Sequence, residues 1–326
     1  MATSAVLVEG LEKRYKSVEA LKGIDFEVEA GIIFGLLGPN GAGKTTTIRI
    51  LSTIIPPDSG RASIMGKDVV SEPDAVRRRI GLAGQNAAVD PNLTGRENLD
   101  MIGHLSRMPR REIKQRASDL LEAFDLDWAS DRPIRTYSGG MRRRLDVAAA
   151  LVQRPPVIFL DEPTTGLDIQ SRVVLWDHIK LLVSEGSTVL LTTQDLQEAD
   201  RLADRIAVVD EGRVVANDTA AALKARLGNT VIELTMADGE ESANVRDLLS
   251  HRMAEPVERD GSIVNVRSSD GSEPLMEAMR ALDEECLVPQ KVFLREPSLD
   301  DVFLALTGTH TAGPEAVSVS REGDGS

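Results

Sequence analysis

Residues 38–45 read Gly-Pro-Asn-Gly-Ala-Gly-Lys-Thr, with the apolar run Ile32 to Leu37 before them and TTIRILS after them. That is G-x-x-x-x-G-K-[ST] set between a strand and a helix, the context in which the motif carries meaning. The glycines let the backbone curl so that its N–H groups converge on an anion. The helix that follows points its positive end at the same place. Lys44 supplies a point charge to β- and γ-phosphates, and Thr45 offers a hydroxyl to Mg²⁺. A glycine-rich turn without a ligand is the competing reading, and the two flanks make it the weaker one. The segment is a nucleotide site, with Gly38, Pro39, Asn40, Gly41, Ala42, Gly43, Lys44, Thr45 and Thr46 as candidate contacts.

A second acidic site agrees with the first. Val157-Ile-Phe-Leu-Asp161-Glu162 is an apolar strand that ends in two acids. A buried strand would deliver Asp161 rigidly to the shell of a Mg²⁺ ion. Glu162, on the opposite side of the pleat, could polarise an attacking water. Between the two sites lies Tyr137-Ser-Gly-Gly-Met-Arg142, which opens a helix. Ser138 stands where an N-cap belongs, and Gly139 and Gly140 permit close approach by an anion. Two anion-ready helix starts exceed what one triphosphate needs, so an economical reading gives the second to a nucleotide held by a partner copy; taken alone, the segment reads better as an ordinary capped helix.

The rest of the chain supplies the frame. Short apolar runs at Ile80 to Ala83, Val157 to Leu160, Thr188 to Thr192 and Arg205 to Val209 alternate with helical segments. Strand and helix in alternation mean a parallel sheet covered on both faces. A mostly helical stretch is expected from about Asn98 to Phe124. After Gly228 the order strand, helix, two short strands, helix, strand, helix predicts a small α+β domain, ferredoxin-like in outline. Residues 309–326 have almost nothing to bury and are expected to form a disordered tail.

Charge and composition exclude several classes. The formal net charge is −14, and residues 229–326 carry 20 acidic against 8 basic side chains. Such a surface repels polyanions, so nucleic acid is not an expected partner. A single cysteine, Cys286, rules out a disulfide framework or a multi-cysteine zinc site and suits a reducing compartment. No apolar run approaches the roughly 18–20 residues that span a bilayer, and the first residues show no secretory signal. Any membrane role is therefore expected to need a second polypeptide.

In this order and spacing the segments resemble the ATP-binding cassette ATPases of the ABC superfamily over residues 1 to about 228. GPNGAGKT resembles the Walker A loop, VIFLDE the Walker B strand, and SGGMR the signature motif. Gln85 resembles the Q-loop glutamine, Gly166-Leu-Asp168 the D-loop, and Tyr15 the aromatic that stacks on adenine. YSGGMRRRLD, LLTTQDLQEADRLADRIAVVDEGR and PSLDDVFLALTG are similar to the daunorubicin/doxorubicin-resistance type of ATP-binding subunit.

The resemblance implies an α/β, P-loop NTPase fold: a parallel sheet core, an antiparallel β subdomain and a helical subdomain, plus the small C-terminal α+β domain. It implies a nucleotide-binding domain over 1–228 and an accessory domain over 229–308. ATP and Mg²⁺ are the implied cofactors, with Thr45, Gln85 and Asp161 around the metal. Glu162, Gln194 and Lys44 are the implied catalytic groups. Ser138, Gly139 and Gly140 are implied to reach the nucleotide of a second copy, and Asp168 to join the two sites. The implied partners are that second copy and a separate permease, at the cytoplasmic face of the membrane, exporting drugs, polyketides or lipids.

Two positions depart from the superfamily pattern. Met141 stands where glutamine is commonest, and Gln194 occupies the switch position where most of these ATPases place histidine. A glutamine amide donates a hydrogen bond to a γ-phosphate but carries no proton. The alternatives are a soluble ABC ATPase acting on ribosomes or DNA, or a weakly hydrolysing regulatory subunit. One cassette, no heptad run and an acidic balance count against the first; Lys44, Asp161 and Glu162 count against the second.

Overall fold

A computed structural model describes residues 4–84, 89–228, 230–268 and 272–307. At its centre is a six-stranded sheet formed by β3 (Ile33–Leu37), β6 (Ile80–Ala83), β7 (Val157–Asp161), β8 (Thr188–Thr193), β9 (Arg205–Asp210) and β10 (Arg213–Asp218). Its spatial order is β10-β9-β3-β8-β7-β6, parallel except for the hairpin of β9 with β10. Strands buried on both faces carry apolar side chains at every position, and β7 does so until its closing aspartate. Val157 and Phe159 face one core, while Ile158 and Leu160 face another. The expected parallel sheet is therefore present.

The first of those cores lies under a four-stranded antiparallel sheet, β2-β1-β4-β5. Its members are β1 (Ser4–Tyr15), β2 (Val18–Glu29), β4 (Ser59–Ile64) and β5 (Lys67–Asp68). Helix α1 (Lys44–Leu51) also packs into that core through Ile48, Ile50 and Leu51, and the short α2 (Pro73–Arg77) adds Val76. The second core is covered by helices α3 (Gly95–Leu105), α4 (Arg110–Ala123), α5 (Gly139–Ala150) and α6 (Ile169–Ser184).

The mostly helical stretch expected from about 98 to 124 is present as two helices, α3 and α4. Arg107 adopts a left-handed φ of 58° just past the end of α3, and Pro109 has no N–H to continue a helix. The entry of α3 is a capping box: the Glu97 N–H donates to Thr94 Oγ1, and the Thr94 N–H donates to the Glu97 carboxylate.

Beyond α7 (Leu196–Leu202) and α8 (Ala220–Ala225), the chain forms β11 (Thr230–Thr235), α9 (Gly239–Arg252), β12 (Val257–Asp260), β13 (Ile263–Ser268), α10 (Ser272–Glu284) and β14 (Lys291–Arg295). All pairings in this sheet are antiparallel, in the order β12-β13-β11-β14. That is the ferredoxin-like arrangement suggested by the order of the elements. Ile232, Leu234, Val264 and Val266 bury one sheet face against Val245 and Leu249 of α9 and Ala278 and Leu282 of α10.

The last described helix, α11 (Leu299–Thr307), turns away from this unit. Its Leu299, Val302 and Phe303 pack with Leu37, Leu196, Ala199, Ile206, Val208 and Leu223, all residues before 228. Each such side chain contributes about 1.5–3 kcal/mol of gross burial energy. Arg295 aims the helix: its guanidinium donates to both carboxylate oxygens of Asp301, at 2.6 and 2.9 Å. Burial alone would raise the Asp301 carboxyl, but Arg295 and the Ser298 N–H and hydroxyl hold it below the usual range. The expected tail, 309–326, lies outside the described residues.

Candidate functional site

The β3–α1 turn builds the first half of the site. Helix α1 has no side-chain cap; its N-cap is Gly43, at a φ of 109°. A Cβ there would sit 2.6 Å from both Ala20 O and Leu21 Cδ2, and one on Gly38 would fall 2.1 Å from Val209 O. These two glycines are what let the loop nest between β2 and β9. Lys44, 4% exposed, folds back along the loop so that Nζ donates to Gly38 O at 2.7 Å and Pro39 O at 3.0 Å. Burial pushes its ammonium below the ordinary lysine pKa, and the carboxylates of Glu162 and Asp161 pull it back up.

Strand β7 brings those carboxylates across. Glu162 Oε1 lies 3.8 Å from Lys44 Nζ. Asp161 accepts from Thr45 Oγ1 at 3.2 Å and from Thr192 Oγ1 at 2.6 Å, through the same oxygen. Glu162 has a left-handed φ of 48°, unusual for a residue with a side chain. Its N–H donates to both Thr192 O and Thr192 Oγ1 at 3.1 Å, and Thr165 Oγ1 donates to its Oε2 at 3.2 Å.

A cleft of about 280 Å³ opens over this cluster, lined by Tyr15, Ala20, Asn40, Gly41, Gly43, Lys44, Thr45, Thr46 and Glu162. Tyr15 forms its rim at the end of β1, with the Lys13 ammonium 6.0 Å from the ring centroid. Among the described residues no group of three or more His, Cys, Asp or Glu could hold a metal ion. The adjacent oxygens of Thr45 and Asp161 do suit a hard cation that draws its other ligands from phosphate and water.

The second helix start stands apart from this cleft. Ser138 caps α5, its Oγ accepting from the Met141 N–H at 3.2 Å. None of Ser138, Gly139 and Gly140 lines the cleft. Gly140 lies against Ser171 at the start of α6, where a Cβ would meet Ser171 Oγ at 2.5 Å. Asp168 caps α6, accepting from the Ser171 N–H at 2.8 Å and the Ser171 hydroxyl at 3.1 Å. The structure therefore joins the signature segment to the D-loop residue, not to the Lys44 cleft of the same chain.

Gln194 follows β8, half-buried, beside Asp195. Asp195 caps α7 through the Gln197 and Glu198 N–H groups and pairs with Arg172 of α6 at 2.6 Å. Gln85 lies outside the described residues. Sequence reasoning missed Arg143, one of three consecutive arginines, which is buried against the backbone of β7.

Comparison with known proteins places the whole chain in a family. The family model described as ABC transporter matches residues 21–165. The chain is similar to the daunorubicin resistance ATP-binding protein DrrA3 of Streptomyces coeruleorubidus, 49% identical over 97% of this chain and all of the relative. It is 48% identical to the daunorubicin/doxorubicin resistance ATP-binding protein DrrA of Streptomyces peucetius, over 98% of this chain and 97% of the relative. Among solved structures, a dimeric post-hydrolysis ATP-binding cassette bound to ADP and Pi superposes with a TM-score of 0.60 at 28% identity. That match covers 66% of this chain and 98% of the other. With near full-length identity of this order, the chain belongs to the ATP-binding subunits of the ABC transporter family.

Proposed function

We propose that two copies of this chain close head to tail around two ATP molecules and hydrolyse them to drive a separate membrane permease that exports drug-like small molecules. The observation that carries the reading is the division of the site. The cleft holds Lys44, Thr45 and Glu162, while the Ser138–Gly140 helix start points elsewhere in its own chain. A second copy would complete it. In that reading Lys44 and the amides of the loop hold the β- and γ-phosphates, and Tyr15 stacks on adenine. Thr45, Asp161 and Gln85 hold Mg²⁺, which would neutralise phosphate charge.

Glu162 orients the attacking water, and Gln194 donates an amide hydrogen bond to the γ-phosphate. Ser138 and Gly140 of the second copy contact the same phosphate, and Asp168 links the two sites. Closing such a switch from 1:99 to 99:1 takes about 5.5 kcal/mol of differential binding. Charge-assisted hydrogen bonds contribute about 1.5–3 kcal/mol each, so a few across two γ-phosphates suffice.

No helix among the described residues is long and apolar enough to cross a membrane, so the reading requires the permease as a second chain. The export assignment is inferred from the drug resistance for which the two Streptomyces relatives are named.

Glu162→Gln tests the whole reading. The variant is expected to bind ATP, remain dimeric on gel filtration and turn over about 10²–10⁴-fold more slowly. Trapped with ATP in its host and extracted in mild detergent, it should co-purify with a multi-spanning protein identifiable by mass spectrometry. Recovery with ribosomal or other water-soluble partners would sink the transport reading and leave the ATPase standing. Gln194→Ala should retain ATP affinity and lose hydrolysis; unchanged turnover would remove Gln194 from the mechanism.

A further inference from the structure

We propose that Arg143 is a positioning residue that ties the placement of the signature helix to the geometry of Glu162. The inference rests on the reading of Glu162 as the carboxylate that orients water. Arg143 lies on α5, five positions after Ser138, and is 9% exposed. Its guanidinium donates to three backbone carbonyls from two segments of the chain. Nε donates to Pro163 O at 2.7 Å, Nη2 to Asp161 O at 2.9 Å, and Nη1 to Gly84 O at 2.5 Å. Asp146, one turn along α5 and 1% exposed, holds Nη1 at 3.3 Å.

The first two contacts bracket Glu162. A residue with a side chain at a φ of 48° holds that conformation only where its surroundings over-determine it. Here the Glu162 N–H is fixed by Thr192, and the carbonyls of the residues on either side are fixed by one planar fork. The third contact is to the carbonyl of the residue immediately before Gln85. A shift of α5, whose N-cap is the serine offered to the second copy, therefore moves the fork that sets both flanks of Glu162 and the Gly84 carbonyl.

A guanidinium is the group that can do this. It stays charged, and its rigid, planar array of donors serves several acceptors at fixed angles. An ammonium would still neutralise Asp146, but it is a compact point charge that could not hold all three carbonyls at these positions. Ordinary satisfaction of buried carbonyls would require only that each find some donor. The arrangement here draws all three from one side chain of the helix that must sense a partner.

The test is Arg143→Lys in the full chain, assayed with MgATP beside the parent and Glu162→Gln. Expected are a turnover about 10²-fold below the parent, as for a carboxylate displaced by about 1 Å, with unchanged KM and ATP affinity, beside a lower thermal midpoint from the buried carbonyls left without a donor. Parental turnover in a folded Arg143→Lys chain overturns the proposal. So does a loss of ATP affinity in step with turnover, which marks a general packing role. If the lysine variant does not fold, the paired Arg143→Gln/Asp146→Asn chain, which leaves no unpaired buried charge, is judged by the same criteria. Brisk hydrolysis by Glu162→Gln would instead refute the reading of Glu162, whatever Arg143 does.

Discussion

Two helices of the cassette begin at glycine-rich turns, and they begin differently. Helix α1 starts from Gly43, with no side-chain cap and a left-handed backbone held by contact with β2. Helix α5 starts from Ser138, whose own hydroxyl accepts from Met141. The first end presents backbone donors shaped in advance by its neighbours, and a buried lysine lies beside it. The second satisfies itself in the isolated chain and exchanges that bond only when another acceptor arrives. In the proposed reading this difference sets the order of binding: α1 would take a phosphate first, and α5 would respond to one already held by the second copy.

The comparison breaks most completely at Gly43. In Gly43→Ala the new methyl would overlap Ala20 O in a conformation that L-residues rarely adopt. Nucleotide binding by the single chain should be lost, as read by titration with a fluorescent ATP analogue. Retained affinity would show that the turn is not the preorganised element.

A sharper contrast comes from the two glycines after Ser138. Gly140→Ala pushes a methyl to 2.5 Å from Ser171 Oγ and should disturb the start of α6, weakening ATP-dependent dimerisation while single-chain affinity survives. Gly139→Ala meets nothing within 4 Å and should leave the thermal midpoint where it is. Any loss of hydrolysis there then reads the partner contact alone. At Ser138→Ala, loss of the cap is expected to cost about 1 kcal/mol of stability, and loss of the hydroxyl offered to the second copy's phosphate to weaken ATP-dependent dimerisation. Calorimetry checks that figure, and an unchanged nucleotide affinity in the same variant checks that α5 plays no part in the first binding step.

What the sequence revealed was local. The phosphate loop and the acid-ended strand are read from spacing within a few residues, because a strand–turn–helix fixes their geometry without help from afar. The ferredoxin-like unit followed from element order, since β-α-β-β-α-β admits few sheets. What escaped notice depended on contacts between distant segments. MRRRL gives no sign of which arginine turns inward; only the approach of β6 and β7 to α5 makes Arg143 a buried one. The Ser171–Gly140 contact depends likewise on how α5 meets α6. The break between α3 and α4 was in principle readable at Pro109, but the apolar spacing of Leu105 and Met108 masks it.

The docking of α11 has a consequence for how the chain is made. Leu37 and Leu223 find part of their packing in Leu299, Val302 and Phe303. During synthesis at about 5–20 residues/s, the roughly 80 residues from Leu223 to Phe303 take on the order of 4–16 s to emerge. For that interval the ATP-binding fold stands on the ribosome with one apolar side uncovered, and a chaperone that shields it would matter most there. A premature stop just before Leu299 would make that interval permanent, leaving a subunit whose phosphate loop is intact and whose solubility is not.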